Sequence, residues 1–241
     1  MTATTEAQLR QDLADCYKLF DWLGWTELIF NHITVRLPGD AGVQARYLIN
    51  PFGLHYAEVT PANLLAIDTQ GEQRDGAAGT VNRAGFIIHS AIHGARPDAH
   101  CIMHVHTTAG CAVACMDDGL RHDNFYSAML YGDVAYHDYE GVTTRAEEQP
   151  RLVASLGQRN HLILRNHGLL AVGPSIPTAF NRLWTLQRAC EIQLAADAGS
   201  GPNRRIDEDI LRQVPATRVA SGAQTHELIF RAMLRRAGIR G

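Results

Sequence analysis

Short apolar runs alternate with helical segments along most of this chain, and that order constrains the fold more than any other feature. Apolar residues recur at helical spacing over 8–23 and 175–198, and strand-like runs lie between such segments, as at 31–37 and 101–106. Several strand signals follow one another like hairpins, and neither a Gly-x-Gly-x-x-Gly pattern nor a Walker loop follows a strand. The order predicts an α/β fold in which one mixed sheet carries helices on both faces.

The domain organisation follows from length and from one break in composition. The chain has 241 residues, a length that fits one large domain or two small ones. No repeat or low-complexity linker interrupts it before the Gly-Ser-Gly-Pro run at 199–202. We therefore predict one domain over residues 1–200 and, over 201–241, a C-terminal helical appendage of the same domain.

Charge and composition argue against several classes of partner. The formal net charge is −3, and basic residues form no long block, so we expect no nucleic-acid partner. No apolar stretch approaches the roughly 20 residues of a membrane span, and the first 20 residues lack the features of a signal peptide. Five cysteines without a Cys-x-x-Cys pair suit small core residues in a reducing compartment. A cytoplasmic protein is the expectation.

Histidine is the unusual residue, with 12 copies, and three of them form a pattern typical of metal sites. His104 and His106 stand two apart in the apolar run Ile-Met-His-Val-His, so in a strand both side chains point to the same face. His167 lies in a Gly-flanked turn between two strands, and Gly168 would allow a sharp turn that aims the imidazole at a neighbouring strand. Three imidazoles that leave coordination positions open describe a catalytic metal site rather than a structural one.

Other interpretations of the histidines remain open at this point. His-x-His alone is a weak signal for a metal site. His89 and His93 are four apart on the helix before this strand and form a second candidate pair, although packing is the commoner reason for such spacing. The remaining histidines, His32 among them, are interpreted as structural or surface residues.

Two stretches of sequence carry a family resemblance. AGFIIHSAIHGARPDAHCIMHVHTTAG at 84–110 and ILRNHGLLAVG at 163–173 resemble the class II aldolase and adducin-head family, and weaker matches extend the similarity over roughly 8–198. The resemblance implies a three-layer α/β/α sandwich around a mixed, largely antiparallel central sheet. It also implies a homotetramer with active sites at the subunit interfaces.

The resemblance further implies a metal-dependent lyase. A divalent ion on His104, His106 and His167 would polarise a carbonyl and stabilise an enediolate-like intermediate. Zinc is the expected ion, with manganese or iron as alternatives. Asn31 matches the asparagine of the family's substrate loop, and the guanidinium of Arg83 suits an anionic group of a substrate.

The departures from the family pattern narrow the range of expected substrates. Where sugar-phosphate aldolases have Ser-Ser-Glu before the long helix, this chain has Arg83-Ala84-Gly85, so two phosphate-binding hydroxyls and the acid/base carboxylate are missing. The substrate is therefore expected to be a small, non-phosphorylated anion. A tyrosine that such aldolases donate from a neighbouring subunit falls near Tyr126, although an ungapped comparison puts Phe125 there. Tyr126 or a water on the metal is the expected acid/base.

Three functions are weighed on these residues. The preferred one is a metal-dependent lyase that performs aldol cleavage or decarboxylation on an oxo- or hydroxy-acid. A non-haem iron oxygenase would use the same three histidines with different chemistry. The third is a non-catalytic interaction domain, because 84–110 and 161–200 resemble adducin heads more closely than sugar aldolases.

Overall fold

Seven strands form one sheet in the computed structural model, which describes residues 4–39, 45–73, 75–218 and 222–240. The strands are β1 (His32–Arg36), β2 (Arg46–Ile49), β3 (Leu65–Asp68), β4 (Cys101–Val105), β5 (Val134–His137), β6 (His161–Leu164) and β7 (Gly168–Gly173). The helices are α1 (Glu6–Trp22), α2 (Arg83–Ala95), α3 (Thr108–Ala114), α4 (Phe125–Ala128), α5 (Gln149–Leu156), α6 (Ile176–Asp197), α7 (Glu208–Arg218) and α8 (Ala223–Arg236). Single 3₁₀ turns occur at Tyr56–Glu58 and Ala146–Glu148.

The sheet is mixed and largely antiparallel, as predicted. Its strand order is β3-β2-β1-β4-β7-β6-β5, and every neighbouring pair is antiparallel except β5 with β6. β4 lies at the centre, between β1 and β7, and all five of its residues are buried. The central position explains why this strand is an unbroken apolar run around its histidine, since both of its faces are covered.

Two layers of helices cover the two faces, which confirms the predicted three-layer sandwich. Leu13 of α1, Phe180 of α6 and Phe230 of α8 share a core with Met103 of β4 on one face. On the other face, residues of α2 and α5 pack with Ile102 of β4. Because neighbours along a strand point to opposite faces, the alternation within β4 distributes its side chains between the two cores.

Local signals begin and end the helices where the sequence predicts them. The side chain of Thr5 accepts a hydrogen bond from the backbone of α1, and Ser175 does the same for α6. Asn82 caps α2, and that helix ends just before Pro97. The predicted segments 8–23, 31–37, 101–106 and 175–198 agree with α1, β1, β4 and α6 to within about two residues. The short α4, which is only four residues long, was not predicted from periodicity.

The C-terminal segment contributes to the same core as the sheet. Phe230 and Leu234 of α8 are fully buried in the cluster that contains α1 and α6. Arg231 of α8 donates to Asp12 of α1, with Nη1 2.8 Å from Oδ1. These contacts join α8 to the core, and the division into one domain with a C-terminal appendage stays a prediction. In the described part of the chain, no helix combines the length and the apolar character needed to cross a bilayer.

Removing one buried side chain of α8 tests whether this segment and the sheet unfold together. Phe230→Ala is expected to lower the free energy of unfolding by about 3–5 kcal/mol, because it leaves a cavity in the shared core. Urea denaturation followed by circular dichroism should still show one transition. The control Leu228→Ala removes an apolar side chain that is 64% exposed on the same helix, and should change stability by less than about 0.5 kcal/mol. Two separate transitions would instead indicate that the segment folds independently.

Candidate metal centre

The end of β4 presents two of the predicted ligands. His104 is fully buried and faces the same side of the sheet as Ile102, and His106 follows directly after the strand ends at Val105. β1 and β7 hold this end of β4 in register, with His104 opposite His32 on one side and opposite Leu170 on the other. Both imidazoles therefore extend from a rigid strand in the middle of the sheet.

The third predicted ligand lies in the tight connection between β6 and β7. Asn166 adopts a left-handed conformation with φ of 57°, which asparagine tolerates better than most residues, and its N–H donates to Ala114 O at 3.0 Å. His167 N–H donates to Leu164 O at 3.0 Å, and Cys111 Sγ donates to His167 O at 3.0 Å. This corrects one detail of the prediction, because the positive φ of the turn lies at Asn166 and not at Gly168.

Gly168 has a different role, which is to allow a close approach. A Cβ added there would lie 2.5 Å from Val105 O, 3.1 Å from His106 Cδ2 and 3.3 Å from His104 Cε1. A carbonyl oxygen at 2.5 Å leaves no room for a methyl group. The glycine therefore lets β7 begin directly against the end of β4, where the histidines are.

The three imidazoles meet at one point. Nε2 of His106 lies 2.7 Å from Nε2 of His104 and 2.9 Å from Nε2 of His167. His104 Nδ1 lies 2.9 Å from Leu169 O, which can only accept, so Nδ1 carries the proton of the neutral ring and Nε2 bears a lone pair. The backbone of β7 thus fixes the tautomer of one ligand, as outer groups commonly do at metal sites.

Burial keeps all three imidazoles neutral. It lowers the pKa of His104 well below the usual range and lowers the pKa of His167 to about 4, and in both cases the neighbouring histidines lower it further. Burial also lowers the pKa of His106, and the negative charge of Glu27 offsets this only in part. Neutral imidazoles are the form that binds a metal ion, so the site needs no deprotonation near neutral pH.

The donor set fits a divalent cation. Lone pairs of nitrogen that crowd within hydrogen-bond distance repel one another unless a proton or a cation lies between them. His104 Nε2 has no proton to offer, and the ligand atoms of all three rings lie within 4.8 Å of one another. Imidazole nitrogen suits zinc and also iron, copper and nickel. His104, His106 and His167 are therefore the residues that would hold the ion.

A cavity of about 680 Å³ opens on this centre. His106 and His167 line it, and the aromatic rings of Phe30 and Phe52 lie on its wall with their centroids 6.3 Å apart. The size suits a small molecule, and the apolar wall with a few polar groups is typical of ligand sites.

Arg83 brings a positive charge to this cavity, and its role in binding a substrate stays a prediction. It is the first residue of α2, and its Nε donates to Thr144 O at 3.0 Å. Within the described residues, no carboxylate forms an ion pair with it. A guanidinium without a carboxylate partner is suited to bind an anionic group of a ligand.

The other two predicted residues lie outside the lining of the cavity. Asn31 is buried, and its Nδ2 donates to Trp25 O at 2.8 Å, while its Oδ1 is buried with no hydrogen-bond partner among the described residues. Tyr126 belongs to α4 and packs edge-on against Trp184, with ring centroids 5.5 Å apart. Their roles in binding and catalysis stay predictions.

His32 is a residue of the cavity that the sequence does not predict. A Cβ on Gly85 would lie 2.6 Å from Cδ2 of His32, so this imidazole occupies the space where the resemblance places a carboxylate. His32 lines the cavity together with His106 and His167. The alternation in 31–37 already puts His32 and Thr34 on one face of a strand, but the sequence gives no sign that β4 lies beside it. His89 and His93 contact this strand and lie outside the group of metal ligands.

Comparison with known sequences agrees with the geometry. The family model for the Class II Aldolase and Adducin N-terminal domain matches residues 11–194. A Pseudomonas aeruginosa protein, named only provisionally as a class 2 aldolase, is 44% identical over 209 residues, which cover 87% of this chain and 79% of that protein. Alpha-adducin of Mus musculus is 46% identical over 199 residues, which cover 81% of this chain and 26% of the adducin. The chain thus spans about a quarter of the adducin's length.

Solved structures show the same fold. An aldolase II superfamily protein from Pseudomonas syringae superposes with a TM-score of 0.90 at 37% identity, covering 98% of this chain and 94% of that one. The L-fuculose 1-phosphate aldolase from Glaciozyma antarctica superposes with a TM-score of 0.84 at 30% identity, covering 98% and 92%. The comparisons with sequences and with solved structures confirm the predicted resemblance. The relatives that they find include proteins named as aldolases and proteins named as adducins.

Gly168→Ala tests the close approach that brings the ligands together. The added methyl would push β7 away from Val105 O, so we expect the affinity for zinc to fall about 10- to 100-fold, as when groups that orient ligands are disturbed. A competition titration with a chromogenic chelator measures it. The control Gly94→Ala places a methyl in open space on α2 and should leave the affinity unchanged. Equal affinities in both variants would contradict the role given to Gly168.

Proposed function

Because the chain belongs to the Class II Aldolase and Adducin N-terminal domain family, we propose that it is a metal-dependent lyase for a small, non-phosphorylated oxo- or hydroxy-acid. The single observation that carries the proposal is the convergence of three neutral imidazoles, two of which line an open cavity. A structural site would be enclosed by four protein ligands, whereas this one leaves a side accessible to a small molecule.

The proposed cofactor is zinc, with manganese or iron as alternatives. His104, His106 and His167 would hold it, and the carbonyl of Leu169 keeps His104 in the ligating tautomer. When bound, the ion would act as a Lewis acid that polarises an oxygen of the substrate. Aldol cleavage and decarboxylation both break a carbon–carbon bond and leave an electron pair beside such an oxygen, so the same site suits either reaction.

The chain's own residues bind and orient the proposed substrate. The free edge of the Arg83 guanidinium would pair with a carboxylate, while its Nε stays on Thr144 O. Phe30 and Phe52 would shield the reacting end from water, which strengthens electrostatic interactions inside the cavity. Ala84 and Gly85 offer no hydroxyl or carboxylate for a phosphate, which favours a substrate without one.

The proposed assembly is a homotetramer in which a second copy completes the site. Tyr126 would then serve as the acid/base of a neighbouring protomer, because within its own chain it packs on Trp184 away from the cavity. Phe125 beside it is 71% exposed, which suits burial against another copy.

A second candidate function is a non-catalytic interaction domain. The 46% identity to alpha-adducin of Mus musculus over 81% of this chain favours it. If the chain is such a domain, the three histidines would contribute to stability or would have no functional role. The two candidates differ in whether function depends on the ion.

His104→Ala separates the candidates. The wild-type chain should bind one zinc ion, and the variant should bind it at least about 100-fold more weakly, because a ligand is lost. Elemental analysis after gel filtration gives the stoichiometry. Release of pyruvate or carbon dioxide from a panel of short hydroxy- and oxo-acids measures the activity, which should disappear with the ion.

The matched control is His55→Ala, which removes a partly exposed imidazole outside the ligand group and should keep both the ion and the activity. A wild-type chain that binds the ion but acts on no acid of the panel would favour the interaction domain. Oxygen uptake by the iron-loaded protein would point instead to an oxygenase. Retention of the ion by His104→Ala would refute the site itself.

Arg83→Gln tests the preference for an anion. Loss of a charged hydrogen-bond donor is expected to weaken binding of pyruvate to the zinc-loaded protein roughly 10- to 100-fold. Binding of uncharged dihydroxyacetone should change little, and calorimetry can compare the two. The control Arg212→Gln alters an exposed arginine of α7 that pairs with Glu208, and should affect neither ligand. An equal loss for both ligands would mean that Arg83 only supports the shape of the cavity.

A further inference from the structure

A line of buried polar groups runs from the cavity into the layer between β1 and α2. His32 Nδ1 lies 2.9 Å from His89 Nε2, and His89 Nδ1 lies 2.7 Å from Thr34 Oγ1. Thr34 Oγ1 also lies 2.7 Å from His93 Nε2, and His93 Nδ1 lies 2.8 Å from Ala99 O. All four side chains are at least 97% buried, so neighbouring groups rather than water must satisfy them.

The inner end of this line fixes the direction of its hydrogen bonds. Ala99 O is a carbonyl and can only accept, so His93 Nδ1 must donate the proton. Burial lowers the pKa of His93 to about 3, so the ring is neutral and carries that one proton. His93 Nε2 is therefore a lone pair that needs a donor.

The direction of each following hydrogen bond is then determined. Thr34 has a single hydroxyl proton, which must go to His93 Nε2, so its oxygen accepts from His89 Nδ1. Burial keeps His89 neutral by lowering its pKa, and its Nε2 must accept from His32 Nδ1. One backbone carbonyl thus sets the tautomer of three imidazoles in series.

The outer end of the line is an unprotonated nitrogen at the cavity. The buried ring of His32 gives its Nδ1 proton to His89, so Nε2 of the neutral ring bears a lone pair. Within the described residues, no group donates a hydrogen bond to this nitrogen. The ring lies against Gly85 and beside His104, with ring centroids 5.0 Å apart, and it lines the same cavity as His106 and His167.

His32 lines the cavity without belonging to the candidate ligand group. The nitrogens that converge on the candidate metal position belong to His104, His106 and His167, and His32 is not part of that group. Its lone pair is therefore available to a molecule bound in the cavity that the ring lines. An acceptor held rigidly there selects a ligand that offers a donor, because an unpaired buried acceptor is costly.

We propose that Nε2 of His32 accepts a hydrogen bond from a hydroxyl of the substrate, and that the relay through His89, Thr34 and His93 holds it in the accepting tautomer. The inference rests on the proposed function for the anionic substrate and narrows it to a hydroxy-acid. His32 is the group that touches the substrate, and the three residues behind it are positioning residues.

The first experiment reads the tautomer directly. Nitrogen NMR of histidine-labelled, zinc-loaded protein should show His32 with a protonated Nδ1 and an unprotonated Nε2, assigned by loss of the signals in His32→Gln. Thr34→Val removes the central hydroxyl and should give His32 a mixture of tautomers. The control Thr185→Val removes a buried hydroxyl that, among the described residues, donates to Asn181 O of its own helix, and it should leave the signals unchanged. A proton on Nε2 of His32 in the wild-type protein would overturn the proposal.

The second experiment measures the preference for a donor. Glycolate and methoxyacetate both carry a carboxylate and a second oxygen, but only glycolate can donate from it. The zinc-loaded wild-type protein should bind glycolate about three- to tenfold more tightly, the contribution of one hydrogen bond. The preference should disappear in His32→Leu, which offers no acceptor, and shrink in Thr34→Val, while Thr185→Val keeps it. Binding of both acids without preference would overturn the role of His32 alone, whereas binding of neither would refute the proposed function with it.

Discussion

The antiparallel pairing of β4 with β7 determines where the three imidazoles meet. Its register sets Val105 opposite Leu169, so the chain leaves β4 at His106 directly beside the turn that carries His167. The contact is close because Gly168 has no side chain that would touch Val105 O. The same pairing aims Leu169 O at His104 and fixes its tautomer. A central pair of strands thus supplies both the ligands and one of the groups that orient them.

Burial has a consistent effect across this site. Desolvation lowers the pKa of the ligands and of the histidines behind them, so every imidazole between β4 and α2 stays neutral and keeps one donor and one acceptor. Neutral rings can bind a cation at one end and hydrogen-bond to fixed carbonyls at the other. Leu169 O and Ala99 O end the two lines of hydrogen bonds, which leaves lone pairs facing the cavity. Arg83 adds the positive charge that the histidines lack.

The sequence predicts the layers and the ligands but not the surroundings of the ligands. Periodicity within each element places His104 on a buried strand, and the Gly-flanked turn between two strands adds His167, which the resemblance supports. Periodicity cannot reveal which strands are neighbours. The sequence therefore favours a structural role for His32, although β1 pairs with β4 and places His32 opposite His104. The sequence indicates only a turn at Gly168, because a close approach between strands that are far apart in the sequence leaves no local pattern. The proposed role of Tyr126 requires a second copy, which no pattern within one chain describes.

The central claim is that three imidazole nitrogens share one ion with at least one position open to a ligand. X-ray absorption at the zinc edge of the loaded protein tests this directly, because it counts the atoms around the metal and separates nitrogen or oxygen from sulfur. We expect imidazole scattering from three rings at about 2.0–2.1 Å together with a further ligand that is not an imidazole and that a carboxylic acid displaces. A sulfur shell at about 2.3 Å, or a closed set of four protein ligands that no acid perturbs, would contradict the account.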